Sequence, residues 1–251
     1  YNSAIGVLSA AYGDGSANSV SGYWASAHGD GSDNIANGTY ADADGNGSAN
    51  VALGRDADSA GSNSGNIATG KSAVSGGNGS ANIATGLNSS SFGMSSSNDA
   101  TGERANANGD SSYNSAYGSY ADAHGNASHN SAYGAYAYAF GDSSANIASG
   151  YAASAMGNGA ANAAYGYGAQ ATGIGSNNLA LGSLAGAGGA YSANLALGLS
   201  AFSAGDGVAN IAIGRNAAAG GTEGNTLGNA NALAIGDGAQ AGATAAGQTN
   251  A

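Results

Sequence analysis

The chain of 251 residues contains 47 Gly and 61 Ala, no Pro and no Cys, and it has a formal net charge of −11. Val, Ile, Leu and Phe together number 28, which is too few bulky side chains for the core of a conventional globular domain of this length. The absence of Cys excludes a disulfide framework, and the negative charge argues against binding to nucleic acid or to an anionic membrane surface.

A 16-residue repeat runs along the chain. Asn recurs every 16 residues from Asn2 to Asn210, and we number the positions of each unit from this Asn as position 0. Gly always occupies positions 4 and 11, Ala or Ser always occupies positions 7 and 9, and Ser is frequent at position 14. A disordered chain has no reason to keep this register, so the period indicates a repeat architecture.

Each unit contains two segments with the period-two alternation of a strand. The first covers positions 1–4, as in Ile211–Gly214, and the second covers positions 6–11, as in Tyr120–Gly125. Gly closes both segments, and Gly at this density argues against a helix. The pattern predicts an all-β, parallel β-solenoid of 16-residue coils with two short strands per coil.

The two faces of the predicted strands differ in composition. The small residues at positions 2, 7 and 9 are expected to face a narrow interior, and the Asn column is expected to stack there through amide–amide and amide–backbone hydrogen bonds. The outer side of the first strand is largely apolar, which predicts that copies of the chain associate through it. The residues assigned to this interface are Ile35, Val51, Leu53, Ile67, Ile83, Tyr117, Tyr133, Ile147, Tyr165, Leu179, Leu181, Leu195, Leu197, Ile211 and Ile213.

The repeat resembles the head of YadA-like trimeric autotransporter adhesins. The units at Asn194–Gly198 and Asn210–Gly214, each followed by A-x-A-x-G, show the likeness best. The resemblance implies a left-handed parallel β-roll, a homotrimer of chains packed side by side, and display on the bacterial outer membrane. It also implies binding to a host cell-surface or extracellular-matrix macromolecule. The stalk and membrane anchor of such adhesins are not in this sequence, and contact with a membrane is expected only through such regions.

The resemblance and the repeat together predict one β-roll head over residues 1–251. Regular coils are expected over 2–224, a degenerate or looped coil over 225–231, and a partial coil over 232–251. In this partial coil, Ala232 stands where the repeat places Asn.

Aromatic residues on the outer side of the second segment are the candidate binding residues, since Tyr and Trp dominate binding hot spots. They are Trp24, Tyr40, Tyr120, Tyr136, Tyr138 and Phe140. The alternative is that stacked rings stabilise the parallel ladders. Two functions remain open at this point, a non-enzymatic adhesin head and a structural spacer that presents a more distal binding domain.

Enzymatic and metal chemistry are not predicted. Asp42, Asp44, Asp56 and Asp58 are the only dense outward carboxylates, and no groove-forming loop accompanies them. His28, His124 and His129 lack metal-ligand spacing with one another, and the turn residues Asp14, Asp30 and Asp33 provide too few oxygens for calcium. We therefore expect no cofactor and no metal site.

Overall fold

The computed structural model describes residues 1–220 and 231–242. The chain forms two compact units, Tyr1–Ser128 and His129–Ala251. Both units consist of short strands and turns. No helix occurs in 1–220 or 231–242, and nothing in those ranges could therefore cross a bilayer as a helix.

The first strand of each coil adds one member to a parallel sheet. In the first unit these strands are β1 (Ser3–Ile5), β3 (Ser19–Ser21), β5 (Ile35–Asn37), β7 (Val51–Leu53), β9 (Ile67–Thr69), β11 (Ile83–Thr85), β13 (Asp99–Thr101) and β15 (Ser115–Tyr117). In the second unit they are β17 (Ser131–Tyr133), β19 (Ile147–Ser149), β21 (Ala163–Tyr165), β23 (Leu179–Leu181), β25 (Leu195–Leu197), β27 (Ile211–Ile213) and β29 (Leu233–Ile235).

The second strands form a second parallel sheet in each unit. In the first unit they are β2 (Ala10–Tyr12), β4 (Ser26–His28), β6 (Asp42–Asp44), β8 (Asp58–Ala60), β10 (Val74–Gly76), β12 (Ser90–Phe92), β14 (Asn106–Asn108) and β16 (Asp122–His124). In the second unit they are β18 (Tyr138–Phe140), β20 (Ser154–Met156), β22 (Gln170–Thr172), β24 (Gly186–Gly188), β26 (Phe202–Ala204), β28 (Ala218–Gly220) and β30 (Gln240–Ala241).

The strand register follows the 16-residue period. Ile67 pairs with Ile83 in the first unit, and Leu179 pairs with Leu195 in the second. Each residue therefore lies beside its equivalent in the next coil, which confirms the predicted parallel β-solenoid of 16-residue coils with two strands per coil.

The interior of the coils consists of Ala, Ser and Asn. Ala at position 2, such as Ala84 and Ala196, is fully buried, and so is Ala at positions 7 and 9, such as Ala121 and Ala123. Val20 is the bulky exception and is 1% exposed. Opposite walls are close enough that a methyl group fills the space between them, as the small residues predict.

Asn side chains of the buried column form hydrogen bonds with backbone groups, as Asn34 shows. Asn34 Nδ2 donates to the carbonyl oxygens of His28 and Gly45, at 2.7 and 3.0 Å. Its Oδ1 accepts the backbone N–H of Asn50 at 2.9 Å. Asn34 and Asn50 are fully buried. The partners of Asn34 confirm the expected amide–backbone bonds, whereas the expected amide–amide bonds are not found at this residue.

The second strand is shorter than the sequence pattern indicates. Tyr120, at position 6, has φ 57° and belongs to a turn in which the N–H of Ala121 bonds the carbonyl oxygen of Gly118 at 3.2 Å. The strand itself begins at Asp122. Alternation persists through this turn because Ala121 still faces the interior, and alternation alone therefore cannot locate the strand end.

The last described coil follows an insertion. Leu233 pairs with Ile211, and Gln240 pairs with Ala218, so that 22 residues separate partners that are 16 apart elsewhere. Ala232 takes the Asn position, and its N–H bonds Oδ1 of Asn210 at 2.9 Å. Outside the described residues lie 221–224 of the predicted regular coils, 225–230 of the predicted degenerate coil and 243–251 of the predicted partial coil.

Candidate functional site

Two outer faces of the coils carry the candidate functional residues. The side chains at positions 1 and 3 form the first-strand face, and those at positions 8 and 10 form the second-strand face. Position 6 lies in the turn that joins the two strands. Each unit thus presents two surfaces of different chemistry.

The first-strand face of the second unit is a double column of aliphatic side chains. At position 1, Leu179 pairs with Leu195 and Leu195 with Ile211, and at position 3, Leu181 pairs with Leu197 and Leu197 with Ile213. Leu181 is 43% exposed and the others are half-buried. All fifteen residues predicted for the interface lie on the first-strand face of their unit, and each remains partly or largely exposed within the chain.

Two further residues extend this column beyond the sequence-based assignment. Leu233 continues position 1 beside Ile211, and Ile235 continues position 3 beside Ile213; they are 47% and 63% exposed. The 16-residue count missed them because the insertion precedes their coil. The L-A-I-G pattern after Ala232 was the signal that could have included them.

The first-strand face of the first unit is apolar over Val51, Ile67 and Ile83, which pair in sequence along position 1. Asp99 follows in the same column and is its charged member. The hydroxyl of Thr101 donates to Asp99 Oδ1 at 3.0 Å, and the hydroxyl of Tyr117 donates to Oδ2. These bonds engage both carboxylate oxygens within the chain.

An aromatic cluster occupies the strand-joining turns near the start of the first unit. The ring of Tyr23 lies 6.4 Å from that of Trp24 and 5.8 Å from that of Tyr40, both in edge-on geometry. The three side chains are 45%, 51% and 52% exposed. The structure therefore brings the predicted Trp24 and Tyr40 together through Tyr23.

A second aromatic cluster lies on the corresponding turns of the second unit. Tyr136 and Tyr151 are 5.7 Å apart in edge-on geometry, and Tyr151 and Tyr167 are 5.4 Å apart in stacked geometry. On the adjacent second-strand face, the rings of Tyr138 and Phe140 are 5.7 Å apart. Tyr151 and Tyr167 extend the row of rings that begins at Tyr136.

Tyr120 has a basic neighbour in the first unit. The guanidinium carbon of Arg104, one coil earlier, lies 5.2 Å from the centre of the Tyr120 ring, and Arg104 also donates to the Tyr120 hydroxyl. This cation–π pair stabilises neighbouring coils. Tyr120 is less exposed than the clustered Tyr residues, which weakens its assignment as a ligand anchor.

The aromatic residues at position 6 share an unusual backbone conformation. Trp24, Tyr40, Tyr120 and Tyr136 have φ between 55° and 58°, a left-handed conformation that is uncommon for bulky residues. Asp56, Ser72 and Asn88 occupy the same position in other coils. The turn therefore accepts side chains of different size and polarity, so its backbone does not require an aromatic residue.

Polar residues on the second-strand side are tied to adjacent coils. Asp30 Oδ1 accepts the N–H of Asp14 at 2.8 Å, so this turn carboxylate bonds the preceding coil. His28 is no isolated surface histidine, because its Nδ1 lies 2.9 Å from Asp44 Oδ1. The spacing of the three His residues relative to one another does not reveal this contact, because Asp44 lies one 16-residue coil after His28.

Comparison with models of known protein families gave no match for the chain. Comparison with curated proteins also gave no match.

Proposed function

We propose that the chain is a non-enzymatic head of a trimeric bacterial surface adhesin. The observation that carries the proposal is the difference between its outer faces. The first-strand face presents aliphatic columns, whereas the second-strand face and its turns present polar and aromatic side chains. One surface is suited to association with copies of the chain and the other to contact with an external macromolecule.

Self-association follows from the hydrophobic effect. The double column from Leu179 to Ile213, extended by Leu233 and Ile235, places eight aliphatic side chains in one register. Contiguous apolar surface of this kind marks interaction sites on soluble proteins. The side-by-side homotrimer and the bacterial outer surface come from the resemblance of the repeat to YadA-like heads, and they remain parts of the proposal.

Attachment to a host cell-surface or matrix macromolecule would use the aromatic clusters. Tyr136, Tyr151 and Tyr167 form the longer row and are 39%, 50% and 58% exposed. Rigid aromatic side chains bury large areas at a small cost in conformational entropy, which makes them effective anchors. The turn position of Tyr136 also accepts Ser and Asn in other coils, so the backbone does not require an aromatic ring there.

A structural spacer is the second candidate function. The fully buried Asn column and the Gly residues at positions 4 and 11 serve the coil itself, and identical coils could be added without changing any contact. Repeat proteins of this kind are approximately sums of neighbouring units. The spacer differs from the adhesin in one respect that can be measured, because a spacer does not itself bind cells or matrix proteins.

The assembly state tests the first part of the proposal. Light scattering coupled to size-exclusion chromatography should give three times the chain mass of 23.4 kDa. Leu181→Asp combined with Leu197→Asp should abolish that species, since it buries charge at the interface. Phe202→Asp on the second-strand face is the matched control, because Phe202 is 39% exposed, and it should remain trimeric. A monomeric parent protein would contradict the assembly.

Binding of the isolated chain to host cells and immobilised matrix proteins tests the second part. Tyr136→Ser, Tyr151→Ser and Tyr167→Ser in combination should reduce binding while the trimer remains folded. Tyr191→Ser is the control, because Tyr191 is 74% exposed and belongs to a different turn. A trimeric parent that binds neither cells nor matrix proteins would favour the spacer.

A further inference from the structure

A mixed histidine and carboxylate cluster lies on the second-strand face of the first unit. His28 belongs to β4, and Asp42 and Asp44 belong to the neighbouring strand β6. The register pairs His28 with Asp44 and Ser26 with Asp42. One potential ligand atom from each of His28, Asp42 and Asp44 lies within 4.8 Å of the other two.

His28 is oriented by several contacts. Its Nδ1 is 2.9 Å from Asp44 Oδ1, and the Ser26 hydroxyl is 3.0 Å from its Nε2. The imidazole ring also lies against Tyr12, with the ring centres 4.1 Å apart. The side chains of His28 and Asp44 are 33% and 40% exposed, so a small ion can reach them from solvent.

Asp42 provides an independent observation at the same place. Its Oδ1 is inaccessible to solvent and has no hydrogen-bond partner among the described residues. Burial, together with the negative charges of Asp44 and Asp58, raises the pKa of Asp42 to about 6. A buried carboxylate oxygen without a donor is costly, and a bound cation would satisfy it.

We propose that His28, Asp42 and Asp44 bind one divalent transition-metal cation of the zinc class. An imidazole nitrogen combined with carboxylate oxygens is a donor set that Zn²⁺ accepts, and three protein ligands leave one position for water. A calcium site would require six or more oxygen ligands, and the histidine nitrogen argues against it. Binding through Nδ1 would use the neutral tautomer whose proton is on Nε2, where the Ser26 hydroxyl oxygen, 3.0 Å away, can accept it.

The cluster needs a small adjustment to close around a cation. Zinc–ligand bonds of about 2.0–2.2 Å place ligand atoms in a tetrahedron roughly 3.3 Å apart. The His28–Asp44 contact of 2.9 Å is already near this separation, and all three ligand atoms lie within 4.8 Å of one another, so the closure required is small. Because the ligands come from two successive coils, the bound ion would also link those coils. This stabilising role does not depend on any adhesive function.

Titration of the chelator-treated 251-residue chain with Zn²⁺ in a calorimeter tests the proposal. We expect saturable binding of one ion per chain. Added Zn²⁺ should also raise the melting temperature of the chain, because it binds the folded state. Asp42→Asn and His28→Gln preserve side-chain size and should each weaken binding at least about tenfold. Absorption of the Co²⁺-substituted protein provides a second readout that reports nitrogen and oxygen ligation directly.

The matched control is His124→Gln. His124 occupies the same position of its coil and lies 2.9 Å from Asp122, but its strand neighbours at that register are Asn106 and Asn108. Its replacement should leave Zn²⁺ affinity unchanged. The proposal is overturned if the parent chain shows no saturable binding, or if folded Asp42→Asn and His28→Gln variants bind as tightly as the parent.

Discussion

The side-chain oxygen of Asn34 accepts the backbone N–H of Asn50, one coil later, at 2.9 Å. The same bond recurs between Asn66 and Asn82 and between Asn178 and Asn194. Each buried amide thus completes the backbone hydrogen bonding of the following coil where the strand ladder does not. The coils are joined by side chains as well as by strands.

Replacement of one such amide should destabilise the solenoid. In Asn82→Ala, the buried N–H of Asn98 loses the acceptor at 2.9 Å, and the hydroxyl of Ser96 loses an acceptor at 3.0 Å. A buried donor without a partner costs about 1–3 kcal/mol, and we expect a loss of at least that size in urea unfolding.

Asn78→Ala is the control for this substitution. Asn78 Oδ1 also accepts a backbone N–H, that of Ser62 at 2.9 Å, but it does so at the surface, where water can replace it. The expected change is within about 0.5 kcal/mol. Equal losses for the two variants would show that the buried column has no special role.

A side chain at Gly102 should also disrupt the stacking. Gly102 has φ 144°, and a Cβ there would lie 2.3 Å from the carbonyl oxygen of Gly118 in the next coil. For Gly102→Ala we expect a destabilisation of at least about 1–3 kcal/mol, measured as a lower urea midpoint.

Gly31→Ala is the matched glycine substitution. Gly31 has φ 61° and open space where a Cβ would lie, and Ala127 adopts φ 50° at the same position of its coil. This variant should lose about 1 kcal/mol or less. If Gly102→Ala were as stable as Gly31→Ala, the result would contradict the close approach of successive coils at Gly102.

Enlarging an interior residue should separate the walls. Ala121 is fully buried, and overpacking a filled core typically costs about 1–3 kcal/mol, which we expect for Ala121→Leu. Ala81→Leu adds the same volume at an exposed position and should be near neutral. Thermal unfolding of the two variants compares them, and a neutral Ala121→Leu would indicate an interior wider than methyl packing allows.

The acidity of Asp42 predicts a pH-dependent stability in the presence of a chelator. Its pKa rises from 3.8 to about 6 on folding, so its contribution to stability is fully present below pH 3.8 and is lost as the pH rises through 6. Asp42→Asn should therefore raise the melting temperature at pH 8, and this gain should shrink toward pH 4. A variant less stable than the parent at pH 8 would contradict this electrostatic account.

The period of the sequence was sufficient to predict the coil and its inward and outward positions. Small residues at positions 2, 7 and 9 indicated the narrow interior, and Ala84 and Ala121 are indeed fully buried. The period could not reveal that position 6 belongs to a turn, because Tyr120 and Asp122 both alternate correctly with buried Ala121. The number of chains in an assembly also remains a prediction.

The candidate sites were predicted less completely than the fold. The sequence placed aromatic residues on the outer side of the coils, but the ring contacts of Tyr23 with Tyr40 and of Tyr151 with Tyr167 required side-chain positions. The proximity of His28 to Asp42 and Asp44 follows from separations of 14 and 16 residues, which match the repeat and not any local metal motif. Applying the stacking rule to charged residues would have found it.

The 22-residue interval between Ile211 and Leu233 has a consequence for engineering. Six additional residues enter the chain there, yet both strands of the following coil keep their pairing. Strand pairing in this fold therefore tolerates extra residues between two coils, and foreign peptides grafted into the equivalent interval of other coils would be displayed at regular spacings.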